Sequence, residues 1–250
     1  MKFSRKNNNV KGLILAAGRG SRLDDLTMKK PKCYIKISGK TLIDYQIEAL
    51  KKSGIKDIAI VTGYLHKHFK NIKSKKFFNE KWKTTNMVYS MLCAQDWFNK
   101  DIIVSYSDII FPYKIVKKIV SCKEDFVIAA DLNWKKLWKK RFKNPFDDAE
   151  TFKMHNNYLT EIGNRTNSYK NIEAQFIGLF KVSCNGFKII SDMIKKKIIS
   201  KNHDFTQTFQ KIINQNHKVK VVLLNEKWFE IDNIKDMVIA EDHFSNLKIR

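Results

Sequence analysis

The 250-residue sequence is short of acidic side chains, of paired cysteines and of long apolar runs, and each shortage excludes something. Four cysteines, Cys33, Cys93, Cys122 and Cys184, stand far apart with no CxxC. That spacing excludes a zinc site and a disulfide framework and fits a reducing cytoplasm. No apolar stretch approaches the ~18 residues that a membrane-spanning helix needs. The opening MKFSRKNNNV has no apolar h-region and reads as a short polar arm. The six histidines show no ligand spacing. With no internal repeat and no linker, residues 1–250 are expected to form one domain. Two phosphate-binding signatures are incomplete as well. No Gly-Lys-Ser/Thr follows Gly18 and Gly20, so there is no Walker A loop, and Leu23 stands where a dinucleotide fingerprint would place its third glycine.

What is present begins with 43% hydrophobic residues, enough to bury a sizeable core. Lysine and arginine number 48 against 25 acidic residues, giving +23. Such a balance favours anionic ligands and raises nucleic acid or an acidic membrane surface as partners. Lysine, asparagine and isoleucine are all abundant, as in a chain with a general compositional bias, so charge alone does not choose among them.

The stretch LILAAGRGSRLDDLTMKKPK organises the chain. Leu13, Ile14 and Leu15 form an apolar run expected to be a buried parallel strand. Gly18 and Gly20 then permit a tight turn with bare backbone N–H groups. Arg19, Arg22, Lys29, Lys30 and Lys32 crowd positive charge around it. An exposed backbone turn among cations suits a polyphosphate.

Beyond it the pattern alternates. A short strand is expected over 33–37, a helix over 41–52 capped by Thr41 and ended by Gly54, and a strand over 57–62. Gly63 and Tyr64 turn toward another helix, and Phe77 and Phe78 mark a weak strand. A helix over 85–98, a strand over 101–105, a helix over 112–121 and a strand over 125–130 follow. This order predicts an α/β fold with a mixed, mostly parallel sheet and right-handed crossovers. The alternation breaks in an insert of about 132–182. Strands over 151–154, 158–162 and 172–182 look antiparallel there, with His155, Asn156 and Asn157 as a hairpin turn. Helices over 187–199 and 205–214, strands over 218–224 and 227–231, and a helix over 232–244 complete the chain.

Two carboxylates close apolar strands, Asp108 in SYSDI and Asp232 in WFEIDN. Ligands of open α/β sheets gather beyond strand carboxyl ends, and Mg²⁺ prefers one or two carboxylates plus phosphate oxygens. Glu230, two residues before Asp232, is a weaker third candidate.

The pattern A-A-G-x-G-S-R followed by Pro31-Lys32 resembles the nucleotidyltransferases that activate phosphorylated small molecules with an NTP, among them sugar-1-phosphate nucleotidylyltransferases and phosphocholine cytidylyltransferases. The resemblance implies a Rossmann-like sheet of the nucleotide-diphospho-sugar transferase type. It implies a nucleotide site at Leu15, Ala16, Ala17, Gly18, Arg19, Gly20, Ser21, Arg22 and Lys32, joined by Asn86, Ser90 and Ser107. The N-x-x-Y-S at Asn86 is similar to one in the phosphocholine enzymes. Lys32, Arg22 and Asp108 would be catalytic, and Asp108 and Asp232 would hold Mg²⁺. No general base is needed, because a phosphate or phosphonate oxygen is already ionised.

The run D-x-x-W-x-x-L-W-x-x-R-F-x-x-P-x-x-D-A-E, then E-A-Q-F-I-G-L, resembles a narrower branch that includes cytidylyltransferases for 2-aminoethylphosphonate and phosphoglutamine. It implies acceptor contacts at Asp131, Trp138, Arg141, Glu150, Glu173 and Gln175, with Trp134 and Asp148 nearby. Carboxylates beside aromatics suit an ammonium, and Arg141 suits phosphorus oxygens. The expected activity is transfer of a cytidylyl group from CTP to a small amine-bearing phosphate or phosphonate, in the cytoplasm, for glycan or phosphonate modification. The expected partners are CTP and that acceptor, with no nucleic acid and no membrane span, and a homodimer is compatible. The alternatives are a sugar-1-phosphate nucleotidylyltransferase using UTP, dTTP or GTP, and a basic nucleic-acid-binding protein.

Overall fold

The run VKGLILA is apolar but for Lys11, and every residue after Val10 is buried, as suits a parallel strand covered on both faces. The computed structural model describes residues 10–23 and 25–248, the side chains of 245–248 excepted, so the expected N-terminal arm lies outside it. In chain order the elements are β1 (Val10–Ala16), α1 (Asp25–Met28), β2 (Lys36–Ile37), β3 (Lys40–Thr41), α2 (Leu42–Lys52), β4 (Ile58–Thr62) and β5 (Lys75–Phe78). Then come α3 (Met87–Leu92), β6 (Asp101–Tyr106), β7 (Ile109–Ile110), α4 (Tyr113–Ser121), β8 (Phe126–Asp131) and α5 (Trp134–Arg141). The rest are β9 (Glu150–His155), β10 (Tyr158–Arg165), β11 (Gln175–Val182), α6 (Cys184–Lys195), α7 (Phe205–Asn214), β12 (Val219–Leu224), β13 (Phe229–Glu230) and α8 (Ile234–Lys248).

Nine strands form one sheet in the order β5-β4-β1-β6-β11-β8-β12-β10-β9. β5, β4, β1 and β6 pair in parallel, as do β8 and β12. β11 runs against both β6 and β8, and β10 against both β12 and β9. The sheet is therefore mixed and mostly parallel, as expected. Successive β1 side chains point to opposite faces. Leu13 and Leu15 join a core with α3, α6 and α7, while Ile14 and Ala16 join one with α2, α4 and α5.

Several expectations change in detail. Residues 33–37 are not one strand: Lys32–Tyr34 is a 3₁₀ turn closed by Ile35 N–H to Lys32 O at 3.0 Å, and only Lys36–Ile37 is extended. After Gly63 the chain makes a 3₁₀ turn, His66–Asn71, rather than an α-helix. The helix expected over 85–98 divides into α3 and a 3₁₀ turn, Gln95–Trp97. The lysine-rich stretch after Asp131 folds as α5, whose buried residues Trp134, Trp138 and Arg141 share one face at helical spacing. The largest correction concerns β11. The strand expected over 172–182 belongs by sequence order to the insert, yet β11 lies in the middle of the main sheet, between β6 and β8. Its continuous burial requires cover on both faces. Its register slips between Phe176 and Phe180. Gly178 there has φ 74°, and a Cβ would fall 2.5 Å from the Tyr106 ring. Among the described residues no helix is long and apolar enough to cross a membrane.

Candidate active site

Two local devices bring the strand-end carboxylates together. Gln46 of α2 is buried, donates to the carbonyls of Tyr106 and Ile109 at 3.0 and 2.8 Å, and accepts from Ser105 Oγ at 2.9 Å. It thereby clamps the turn carrying Ser107 and Asp108. Directly after that turn, β7 pairs antiparallel with β13, placing Glu230 opposite Ile109, and Ile231 N–H donates to Asp108 O at 2.9 Å. Side chains two apart on an extended segment share a side, so Glu230 and Asp232 face Asp108 together. Ligand atoms of Asp108, Glu230 and Asp232 all lie within 4.8 Å of one another.

Asp232 is further fixed by the start of α8. Asn233 Oδ1 accepts from Asp236 N–H at 3.0 Å, while Asp236 Oδ2 accepts from the N–H groups of Asp232 and Asn233 at 2.9 and 3.2 Å. This is a capping box with aspartate in the usual glutamate place.

Lys32 enters from the glycine loop. Its Nζ lies 2.7 Å from Asp108 Oδ2 and 2.5 Å from Asp232 Oδ1. Its stem covers Gly20, where φ is 68° and a Cβ would sit 2.9 Å from Lys32 Cβ. The second glycine is thus demanded twice, by backbone conformation and by the lysine. Arg22, 67% exposed, places Nη2 3.0 Å from Asp232 Oδ1. Burial alone would lower the Lys32 pKa, but Asp108 and Asp232 outweigh it and hold the ammonium charged. Burial would likewise raise Asp232, yet Lys32, Arg22 and Arg141 hold it below the usual carboxylate range. Glu230 goes the other way. Burial, helped by the charges of Asp232 and Asp108 and opposed by Arg141, pushes it up to about 7.

Beside this cluster opens a cavity of about 220 Å³. Of the residues expected to bind nucleotide, Leu15, Ala17, Gly18, Gly20, Arg22, Lys32, Asn86, Ser90 and Ser107 line it, together with Asp108. Ala16 points into the opposite core, and Arg19 and Ser21 are exposed at the loop outside the lining. Sequence reasoning missed Asn79, Trp82, Thr85, Met87 and Tyr106 in the wall. Asn79 Nδ2 donates to Ser90 Oγ at 3.1 Å and Thr85 Oγ1 at 3.2 Å. Among the described residues, the buried side-chain polar atoms without a hydrogen-bond partner are Asn79 Oδ1 and Asp108 Oδ1, and both residues line this cavity.

The residues expected to meet the acceptor are arranged differently. Arg141 does not present an open fork to phosphorus oxygens. Its side chain is 1% exposed, and Nε, Nη1 and Nη2 donate to Asp236, Glu230 and Asp232 at 2.9, 2.6 and 3.5 Å. Trp138 is core, its indole N–H donating to Asp148 Oδ2 at 3.0 Å. Gln175 is buried and donates to Glu150 O at 2.6 Å. Glu173 is exposed and accepts from Met154 N–H at 3.1 Å. Asp131 accepts from the Trp228 indole at 2.9 Å and from Asn133 N–H at 2.7 Å. It lines a different cavity, of about 620 Å³, with Trp228, Lys136 and Lys140. Asp148 and Glu150 are half-buried, and burial raises both their pKa values. Arg22 and Asp232 act electrostatically on Asp148, and Asp204 and Arg165 on Glu150.

A donor set of three carboxylates with one orphaned buried oxygen fits a hard divalent cation held by oxygen ligands. The arrangement can hold a polyphosphate at the glycine loop, neutralise it with Lys32 and Arg22, and bring a cation against it.

Residues 12–143 match the model of the MobA-like NTP transferase domain. A CTP:phosphoglutamine cytidylyltransferase of Campylobacter jejuni is 41% identical, the match covering 92% of this chain and 98% of that protein. A choline-phosphate cytidylyltransferase of Streptococcus pneumoniae is 37% identical over 41% of this chain and 46% of its own. The solved structure of a CTP:phosphocholine cytidylyltransferase from Streptococcus pneumoniae superposes with a TM-score of 0.72 at 23% identity, over 94% of this chain and 99% of that one.

Proposed function

The chain belongs to the MobA-like NTP transferase family, and from that premise we propose how its rim works as a cytidylyltransferase. The enzyme transfers CMP from CTP to a phospho-acceptor. The single observation that carries this is the 41% identity to a phosphoglutamine cytidylyltransferase along nearly the whole of both chains. The finer reading is a small acceptor with a phosphate or phosphonate at one end and an amine or amino acid at the other. The half-buried carboxylates of Asp148 and Glu150 support it, since each ammonium N–H can donate a charge-assisted bond to one.

In the reaction an acceptor phosphate oxygen forms a bond to the α-phosphorus of CTP. The bond from that phosphorus to the bridging oxygen breaks, and pyrophosphate leaves with the electron pair. The attacking oxygen is already ionised, so no side chain has to take its proton. The residues must instead bring two anions together. The glycine loop offers backbone N–H groups to the triphosphate, and Lys32 and Arg22 offset its charge and that of the departing pyrophosphate. Asp108, Glu230 and Asp232 would hold a divalent cation, Mg²⁺ in this reading, which when bound screens the phosphates from each other.

The reading also takes the chain as one domain, because β11 returns from the insert to the centre of the sheet. It places the enzyme in the cytoplasm, in keeping with four free cysteines. Its product is an activated donor suited to glycan or phosphonate modification. Pyrophosphate release should be measured with CTP, UTP, dTTP and GTP against phosphoglutamine, 2-aminoethylphosphonate, phosphocholine and glucose 1-phosphate. CTP with an amine-bearing acceptor should be fastest. A higher rate with glucose 1-phosphate and any NTP would favour a sugar-phosphate enzyme. No release from any pair, with tight salt-sensitive binding to DNA or RNA, would point to a nucleic-acid-binding protein.

A further inference from the structure

Arg141 closes α5, and the carboxylates it binds lie about ninety residues further along the chain. Its position defines which oxygens of the carboxylate cluster remain for a ligand. Nη1 takes Oε2 of Glu230 at 2.6 Å, and Nη2 takes Oδ2 of Asp232 at 3.5 Å. The fork is itself anchored, Nε to Asp236 Oδ1 at 2.9 Å and Nη2 to Asp236 Oδ2 at 3.3 Å. Asp236 is 1% exposed and is fixed in turn by the backbone N–H groups of Asp232 and Asn233. The oxygens not turned to Arg141 are Glu230 Oε1 and Asp232 Oδ1, and the latter already faces the cations Lys32 and Arg22.

We propose that Arg141 is a positioning residue that restricts Glu230 to one oxygen toward a divalent cation, with only a longer contact to Asp232, and so sets the selectivity of the site for Mg²⁺ over Ca²⁺. The proposal rests on the cation reading above. The physical reason lies in the two ions. Mg²⁺ demands near-octahedral geometry at ~2.0–2.1 Å and is content with single oxygens, whereas Ca²⁺ takes ~6–8 oxygens and readily accepts both from one carboxylate. A carboxylate with one oxygen committed to a buried guanidinium cannot offer both. Lysine at this position would keep the charge but not the planar fork, because its ammonium is a point donor on a flexible stem. Arg141→Lys therefore separates geometry from charge.

The test is competition of Mg²⁺ and of Ca²⁺ against Mn²⁺, with free Mn²⁺ read by electron paramagnetic resonance on the full chain without nucleotide. Melting temperatures are taken alongside. The parent should prefer Mg²⁺, and folded Arg141→Lys should lose about tenfold or more of the Mg²⁺-to-Ca²⁺ preference, as for other residues that orient metal ligands. An unchanged ratio in folded Arg141→Lys overturns the proposal and leaves Arg141 a structural tie. If Arg141→Lys does not fold, Asp236→Asn replaces it, since it loosens the anchor of the fork while keeping an acceptor for the α8 cap. The same shift is then expected, and its absence is equally decisive. If the parent binds none of the three ions, the cation reading itself fails and this proposal with it.

Discussion

The glycine-loop rim and the α5 segment carry the same kinds of side chain to opposite effect. Both set arginine or lysine among aspartates and glutamates beside tryptophan. At the rim, the residues line a cavity, and Asn79 and Asp108 each keep a buried oxygen without a partner. Around α5, Trp138, Arg141 and Asp131 at the end of β8 are buried, and each polar group has found a neighbour. Residues left with unused hydrogen-bonding capacity are available to a ligand. Residues whose capacity is spent on each other hold shape. Composition cannot separate these cases, and only the destination of each hydrogen bond does.

The comparison breaks most readily at Arg141. Arg141→Ala should cost about 3–5 kcal/mol of stability, because buried Asp236 and half-buried Glu230 would lose their cationic partner, while Asp232 keeps Lys32 and Arg22. Urea unfolding measures this. Unchanged stability with a raised acceptor KM would return Arg141 to the role its sequence context suggested. Next in size is Asp108→Ala, which should slow transfer on the order of 10²-fold with the fold kept. Its circular dichroism and melting should match the parent, and near-normal turnover at saturating Mg²⁺ would remove Asp108 from the site.

Much of the rim was legible because its signals are local. An apolar run meets Gly18 and Gly20, Thr41 caps α2 with its side chain accepting from Asp44 N–H, and Asp108 and Asp232 follow apolar strands. The rest depends on partners distant in the chain. β11 follows the hairpin in sequence, which alone suggests pairing within the insert, yet its neighbours are β6 and β8. Arg141 reads as an anion-binding arginine until its contacts with Glu230 and Asp236 are seen. Gln46 looks like any helix residue, although it clamps the Asp108 turn. The spacing of Trp134, Trp138 and Arg141 was the available hint that 134–141 is a helix with one buried face.

Smaller effects sharpen the contrast. Trp138→Phe removes an indole N–H and leaves Asp148 Oδ2 without it, so stability should fall by about 1–3 kcal/mol while the CTP KM stays put. A raised CTP KM in this variant would blur the two regions into one. The last effect is a pH dependence from the Lys32–Asp232 pair. Asp232 is held below its unfolded value, so its contribution is full above an ordinary aspartate pKa of about 3.9 and is lost as pH falls through the folded value. Lys32 is held above its unfolded value, so its contribution is full below about 10.4 and is lost as pH rises through the folded value. The stability difference between the parent and Lys32→Met should therefore shrink at both ends, with one step near neutral pH from Glu230, whose charged form Lys32 also favours. A difference that keeps growing into acid would contradict the pairing.

The nucleotide is expected to bind at the open rim and not in the larger cavity beside Asp131. Trp82 lines the first cavity and Trp228 the second, so tryptophan fluorescence can tell them apart. Titration with CTP and Mg²⁺, without acceptor, should give a saturable change that disappears in Trp82→Phe and persists in Trp228→Phe. A signal that survives in Trp82→Phe and is lost in Trp228→Phe would contradict the account.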